Sequence, residues 1–445
     1  MRRGSRATYG SAAKKHTRQS RGVPPPRPIR SGGDRRPLIG LLAGYAVTTL
    51  GTRMTAVALP WFVLVSTGSV ARAGVVAFAE MTPYVLVGAV GGPYVDRFGP
   101  VRAAMAGNLL AAVAIGTVPV LYAAGLLHFG VLLAAVAVGG MANGVAAAGL
   151  RVLVPATGTL AGTPLERVAG LFDGLGRLAL LLGAPLAGLL LVVASAPVVL
   201  AADAASFALC AGFVAATVPG TVQPARRDGT AYLTQLRVGF GWLLRHRLVL
   251  SLGLLTLVMN LIDQAWSAVL LPAWVRDEVG DAAVLGSVFT ALALGLVAGN
   301  LLYTWIGPRL PRRWTFAWAL LLGGSPHLFV LALTHSIPLV LAVNFLGGLA
   351  TGAVNPIIGA VDYEQVPPEL RARVLSAVNA IAWGGIPLGG LLGGWLAGTA
   401  GVAATLFGAG VVYLLVTLAP FVFPVWRSMD RPPAAVRTAE PATAG

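Results

Sequence analysis

The sequence predicts an all-α integral membrane protein of about 12 transmembrane helices, arranged as two pseudo-symmetric six-helix halves. Three observations predict it. The 445 residues are 56% hydrophobic and only 11% charged, against about 25% charged in an ordinary soluble domain. The apolar residues form long continuous runs. Finally, parts of the first half recur in the second at a fixed offset of 212 residues.

A helix crossing about 30 Å of hydrocarbon needs about 20 apolar residues. Runs of that length lie near 38–65, 73–95, 102–124, 130–154, 166–194 and 197–219. A second set lies near 248–275, 283–307, 314–334, 337–361, 371–397 and 402–425. None alternates polar with apolar, so the spans read as helices rather than barrel strands. Their internal Gly and Pro residues are compatible with bundles inside a membrane.

Charge fixes the expected orientation. With the N-terminus inside, 28 of the 32 basic residues fall on the inner side and two, Arg72 and Arg276, on the outer. Basic residues concentrate in cytoplasmic loops. The reading is therefore a multi-pass protein of the cytoplasmic membrane with both termini cytoplasmic. Residues 1–36 form a basic, Pro- and Gly-rich tail whose composition predicts disorder. Residues 37–219 and 248–427 form the two bundles, 220–247 the cytoplasmic linker, and 428–445 a second tail. In the linker Leu233, Leu236, Phe240 and Leu243 share one helical face, which predicts a short amphipathic helix in the inner interface.

The repeat supports parallel halves. "RMTAVALPWFV" (53–63) aligns with "AWSAVLLPAWV" (265–275), and the same offset carries Gly74 onto Gly286. "ERVAGLFDGL…GAPLAGLL" (166–190) faintly echoes "ARVLSAVNAI…GIPLGGLL" (372–392), with a small gap. Two halves related by an axis along the membrane normal follow from this.

Several function classes drop out. The basic residues lie in tails and short loops, so the charge of +16 does not point to nucleic acid. The two Lys are in the N-terminal tail and no G-x-x-x-x-G-K-[ST] loop occurs, which excludes an ATP-driven pump. The five His lack zinc-ligand spacing and no Ser/His/Asp set occurs, so neither a metal, a cofactor nor an enzymatic reaction is expected. The single Cys210 reads as a buried thiol.

"GGPYVDRFG", between the second and third spans, resembles the loop motif of the major facilitator superfamily. Gly92, Asp96, Arg97 and Gly99 match it. Pro100 and Val101 depart from its basic pair, with Arg102 one place later. "ALPWFVL", "AEMTPY", "DAASF" and "VPPELRARV" look like actinobacterial drug and metabolite exporters of that superfamily. The resemblance implies the twelve-helix fold of the superfamily, with Gly92, Asp96, Arg97, Gly99 and Arg102 as a cytoplasmic gate. It also implies that one chain suffices. "LLGAPLAGLL" (181–190) partly resembles the superfamily's antiporter motif, through Pro185 and Gly188, with plain helix packing as the other reading.

Charges within spans are expensive and mark function. Arg53 lies about 22 Å into span one, and Glu80 about 12 Å from the outer end of span two, at 1.5 Å per residue; these depths allow a pair. Asp263 lies at a similar depth in span seven. Asp173 and Arg177 are four residues apart on one face, which predicts an ion pair. A carboxyl group that alternates between an apolar setting and a cationic neighbour takes up and releases a proton. Glu80, Asp263 and Asp173, with Arg53 and Arg177, are therefore the proton-coupling candidates. Asp203 lies near the outer end of span six and reads as structural, a helix-start or loop contact. Superfamily antiporters often carry an Arg in span four; Arg151 lies too near the inner end for that role, so either Arg53 substitutes or coupling differs.

Tyr45, Trp61, Tyr84, Asn143, Asn260, Gln264, Trp266, Asn344, Asn355 and Trp383 are candidates for a central amphipathic cavity. The expected function is export of an amphiphilic drug or metabolite from the cytoplasm by proton-coupled antiport. Import or facilitated passage of a small polar solute on the same scaffold is the alternative, and a non-transporting membrane sensor or assembly factor a third. The expected partners are the bilayer, a small amphiphilic substrate and protons.

Overall fold

The computed structural model describes residues 33–90, 95, 97–220 and 232–430. Of the expected segments, most of the N-terminal tail, Gly92 and Asp96 of the loop motif, part of the linker, and the chain beyond 430 lie outside the described residues. Twelve helices among the described residues are long and apolar enough to cross a membrane. In the first half they are Arg36–Thr67, Val70–Gly88, Pro100–Ala123, Phe129–Leu160, Leu165–Val193 and Ala196–Thr217. In the second they are Arg247–Val279, Ala282–Arg309, Arg312–Leu333, Ile337–Gln365, Arg373–Ala400 and Val402–Val422. They are called spans one to twelve below. Every expected span is present, several of them longer than their apolar cores.

Helices satisfy their backbone polar groups internally, which hydrocarbon demands. Exceptions occur where Pro removes a donor, and at two of these a side chain supplies one. Pro356 has no N–H for the Gly352 carbonyl, and span ten breaks there, between Ile337–Thr351 and Val354–Gln365. The Asn300 side chain donates to the Gly352 carbonyl instead, at 3.4 Å. Pro424 likewise leaves the Pro420 carbonyl free. Buried Arg313 donates to it through Nε at 3.0 Å and Nη2 at 2.9 Å, and to the Phe421 carbonyl at 3.2 Å. The Asp430 carboxylate accepts the backbone N–H of Arg313 at 3.0 Å. Trp426 and Met429 are buried beneath span nine, so the chain through 430 is part of the C-terminal bundle rather than a free tail. Span nine breaks at Gly324, between Arg312–Gly323 and Pro326–Leu333. Span seven carries two π-helical turns, Trp266–Leu270 and Val275–Val279, on either side of Pro272. Such turns recur at functional sites.

The linker helix is Tyr232–Leu243. Leu243 and Phe240 pack with Val249, Val374 and Val378 of spans seven and eleven, and Gly239 sits against the Arg373 carbonyl. The described part of its apolar face, Phe240 and Leu243, packs on protein. The side of the molecule carrying this helix and residues 97–102 is the linker side; the other is the far side.

Within the first half span one packs on spans five and six, and span three on spans four and six. In the second half span eight packs on ten, and span seven on eleven. The halves meet along two seams, span two with span eleven and span five with span eight.

Candidate functional site

Both seams close on glycine, and both close in the far-side halves of the spans. A Cβ built on Gly286 of span eight would lie 2.7 Å from Gly188 Cα and 3.2 Å from the Ala184 carbonyl oxygen of span five. A Cβ on Gly74 of span two would lie 2.5 Å from the Gly390 carbonyl oxygen and 2.8 Å from Gly394 Cα of span eleven. Side chains cannot occupy such approaches, so backbone meets backbone. The repeat explains the pairing. Gly74 and Gly286 are equivalent by the 212-residue offset, and Gly188 and Gly390 are equivalent within "GAPLAGLL" and "GIPLGGLL". One crossing is thus built twice. Gly188 serves as a packing residue, at the boundary between the halves; Pro185 lies three residues before it within span five.

Beneath these crossings a cavity of about 750 Å³ lies between the halves. Its wall runs from Ala184 and Ala268, just under the seals, to Arg151, Phe172 and Ile358 toward the linker side. Tyr45 stacks on Phe172 with ring centroids 3.6 Å apart. Of the expected cavity residues, Tyr45, Tyr84, Asn143, Asn260, Gln264, Trp266, Asn355 and Trp383 line it. Trp61 and Asn344 do not. Trp61 packs among the far-side hydrophobic residues of both halves. Asn344 is fully buried, and its Nδ2 donates to the Val340 carbonyl one turn earlier at 2.8 Å.

The charged residues separate in the same way. Arg53, Glu80 and Asp263 line the cavity. No ion pair joins Arg53 to Glu80 among the described residues; the matching depths did not translate into contact, because Arg53 lies against Gly183 of span five. Asp173 and Arg177 are exposed, outside the cavity wall, and unpaired with each other. Helical spacing permitted that pair, but nothing buries it, and an exposed pair contributes little. Arg97 and Arg102 are exposed on the linker side, and Gly99 holds φ +86° before Pro100 starts span three.

Sequence reasoning missed a cluster in the second half. Asp263 shares the cavity wall with Tyr413 of span twelve. The His327 ring packs edge-on against Trp266 at 5.0 Å and Tyr413 at 6.0 Å, and Trp266 packs against Phe289 at 5.5 Å. All five line the cavity. His327 stood among five scattered histidines with no motif around it, so only the fold brings it to Trp266 and Tyr413. Arg151, set aside as too near the inner end, also lines the wall. Thr48 and Asn108 do so as well, with Thr48 Oγ1 donating to Asn108 Oδ1 at 3.4 Å. The site is chemically mixed: two carboxyls, two guanidiniums, aromatic faces and short polar groups around an apolar volume.

Comparisons with known proteins agree with this architecture. Residues 253–444 match the family model of the Major Facilitator Superfamily. The multidrug efflux pump Tap of Mycobacterium tuberculosis is 28% identical over 412 residues, covering 90% of this chain and 97% of that protein. Tap of Mycolicibacterium fortuitum is 28% identical over 407 residues, covering 89% and 98%. Among solved structures, a mutant of the nucleoside transporter NupG superposes with a TM-score of 0.68 at 14% identity, covering 87% of this chain and all of that one. A bacterial homologue of the lysosomal transporter Spinster, solved inward-facing and occupied, gives 0.68 at 15% identity, covering 89% and 98%.

Proposed function

We propose that the chain is a transporter of the major facilitator superfamily, which its second half matches, and that it exports an amphiphilic drug or metabolite across the cytoplasmic membrane by proton-coupled alternating access. The observation that carries this reading is the cavity between the halves, sealed on the far side by two equivalent glycine crossings and lined toward the linker side. A central cavity closed at one end is one of the two end states of a rocking transporter. With the basic loops inside, the linker side is cytoplasmic and this is the loading state. The wall suits an amphiphile: Trp266, Phe289 and Trp383 offer apolar faces, and Glu80 and Asp263 offer carboxyls. The Tap proteins, similar along nearly their whole length, are multidrug efflux pumps, which supports export over import.

In the proposed cycle substrate enters from the cytoplasm and binds between Asp263 and the aromatic faces. The halves rock, the glycine crossings part, and substrate leaves to the far side. A proton taken up there by a cavity carboxyl and released inside drives the return. Arg97 and Arg102, with Asp96, form the contacts of the opposite closed state on the cytoplasmic side. One chain carries the whole site.

The test is ethidium retention in a drug-sensitive bacterial host. Energised cells expressing the protein lose ethidium faster than control cells, and Asp263→Asn and Glu80→Gln slow that loss toward control. Equal retention with and without the protein for ethidium and a panel of other amphiphiles rejects the reading.

A further inference from the structure

The charge count leaves two arginines on the far side, Arg72 and Arg276. Arg72 stays within the first half, its guanidinium 5.2 Å from the Phe129 ring centroid. Arg276 reaches across. It stands in the π-helical turn that ends span seven, and its Nη1 donates to the Leu64 carbonyl of span one at 3.5 Å.

Span one prepares the acceptor. It ends at Thr67, with Gly68 in the left-handed region at φ +66°. The Leu64 carbonyl accepts the Gly68 N–H at 2.9 Å and keeps a second lone pair for Arg276. The hydroxyls of Ser66 and Thr67 turn back to the Phe62 and Val63 carbonyls of their own helix, each at 2.6 Å. Arg276 therefore brings a cation from the other half to the negative end of the span one dipole, where it is favourable. Its neighbours aim it. Nε and Nη2 both meet Asp277 Oδ1 at 2.6 Å, which occupies one edge of the guanidinium and leaves Nη1 to cross. Glu278 is turned instead to His335, at 3.0 Å. Leu64 shares a buried cluster with Ala273, three residues before Arg276, so the two halves also pack beside the bond.

The repeat says where this contact lies. Leu64 and Arg276 are equivalent by the 212-residue offset, and so are Gly68 and Gly280, both left-handed. A two-fold rotation carries a residue far from its equivalent unless both lie near the axis. A bond between equivalent positions therefore marks the axis. The glycine crossings occur twice, on either side of it. This bond occurs once, because the first half has leucine where the second has arginine.

We propose that Arg276 is a positioning residue for transport, a single far-side latch on the axis between the halves. The proposal rests on the alternating-access reading above. Arg276 touches no substrate. Parting of the halves takes the guanidinium from the Leu64 carbonyl and leaves it to Asp277 and water; the return restores the bond. A contact made in one end state only shifts the ratio of the two states by its own free energy.

Labelling of one cavity cysteine from each side of the membrane tests this in the full-length protein. Thr52 lines the cavity on span one, in the half opposite Arg276, so it reports opening rather than a local change in span seven. The parent carries Thr52→Cys and Cys210→Ala. Arg276→Leu, which installs the residue of the equivalent position, is expected to raise labelling by an impermeant maleimide from the far side about two- to fivefold, the range for one cation at a helix C-terminus. Linker-side labelling does not rise. Arg276→Lys keeps the charge but not the fork and gives a smaller far-side rise. Asp277→Asn, at an exposed position, also gives a smaller rise, and it carries the test where Arg276→Leu fails to fold. A far-side rate left unchanged by these variants overturns the latch. A rise from both sides marks Arg276 as structural and overturns it too. The alternating-access reading fails separately, when the parent is labelled from the linker side but never from the far side, with ethidium and with a pH difference alike.

Discussion

Gly188 of span five and Gly286 of span eight meet backbone to backbone: a Cβ on either would lie 2.7–2.8 Å from the other's Cα. This contact closes the far side of the cavity, and its pseudo-symmetric counterpart at Gly74 and Gly390 closes the second seam. Overpacking a close approach of this kind costs about 1–3 kcal/mol. Gly286→Val therefore destabilises the sealed state by that amount, which is about a 5- to 150-fold shift in a two-state equilibrium. Ser267 lines the cavity on span seven. In a Cys210→Ala background, Ser267→Cys is expected to gain labelling by an impermeant maleimide from the far side when Gly286→Val is added.

The second seam behaves alike if the halves are equivalent. Gly74→Val is expected to raise far-side labelling of the same cysteine, through crowding against Gly390 and Gly394. The seams share no residues, so their effects combine close to additively. Labelling rates of the two single variants and the double variant read this directly.

Arg313 holds the linker-side end of span twelve by donating to the carbonyls of Pro420 and Phe421. Arg313→Ala leaves these acceptors without their donor, at a cost of about 1–3 kcal/mol. The thermal unfolding midpoint in detergent falls accordingly. Arg313→Lys recovers only part, because an ammonium lacks the planar fork that reaches both carbonyls.

His246 precedes span seven, and its Nδ1 accepts the Val249 N–H at 3.5 Å; the ring stacks on Trp242 at 4.6 Å. Burial pushes its imidazole below the ordinary value, so the folded state favours the neutral ring that can accept this bond. The unfolded chain then binds more protons than the folded one as pH drops through about 6.5, the ordinary imidazole value. Stability rises with pH across that window and is lost on acidification. His246→Asn keeps a capping acceptor and is expected to flatten the pH dependence of the unfolding midpoint below pH 6.5.

Spans were legible because hydrocarbon imposes length and apolarity on every one of them, as in "LLGAPLAGLLLVV". The repeat was legible where glycine and proline carry it: Gly74 and Gly286 mark the same crossing in each half. The cavity was legible where a polar or aromatic residue has no other use at its depth, as with Asn143, Asn260 and Asn355. Which face a residue takes was harder to read. Asp203 and Asp263 both sit in apolar runs, and only packing sends one against Gly51 and the other to the cavity wall. Arg313 read as one more inside charge, although it is a buried cap, because its partners lie more than 100 residues away. Trp61 and Asn344 were misplaced for the same reason. An apolar run fixes depth and leaves rotation to neighbours.

Alternating access between the two halves is the centre of this account, and two spin-label distances in one reconstituted protein test it most directly. One pair spans the far side, Ser66→Cys with Ser336→Cys; the other spans the linker side, Thr159→Cys with Glu369→Cys. All four positions are exposed, and Cys210 is replaced by Ala. On adding ethidium and changing pH, the far-side distance is predicted to lengthen as the linker-side distance shortens. Two distances that stay fixed, or that change in the same direction, would contradict the account.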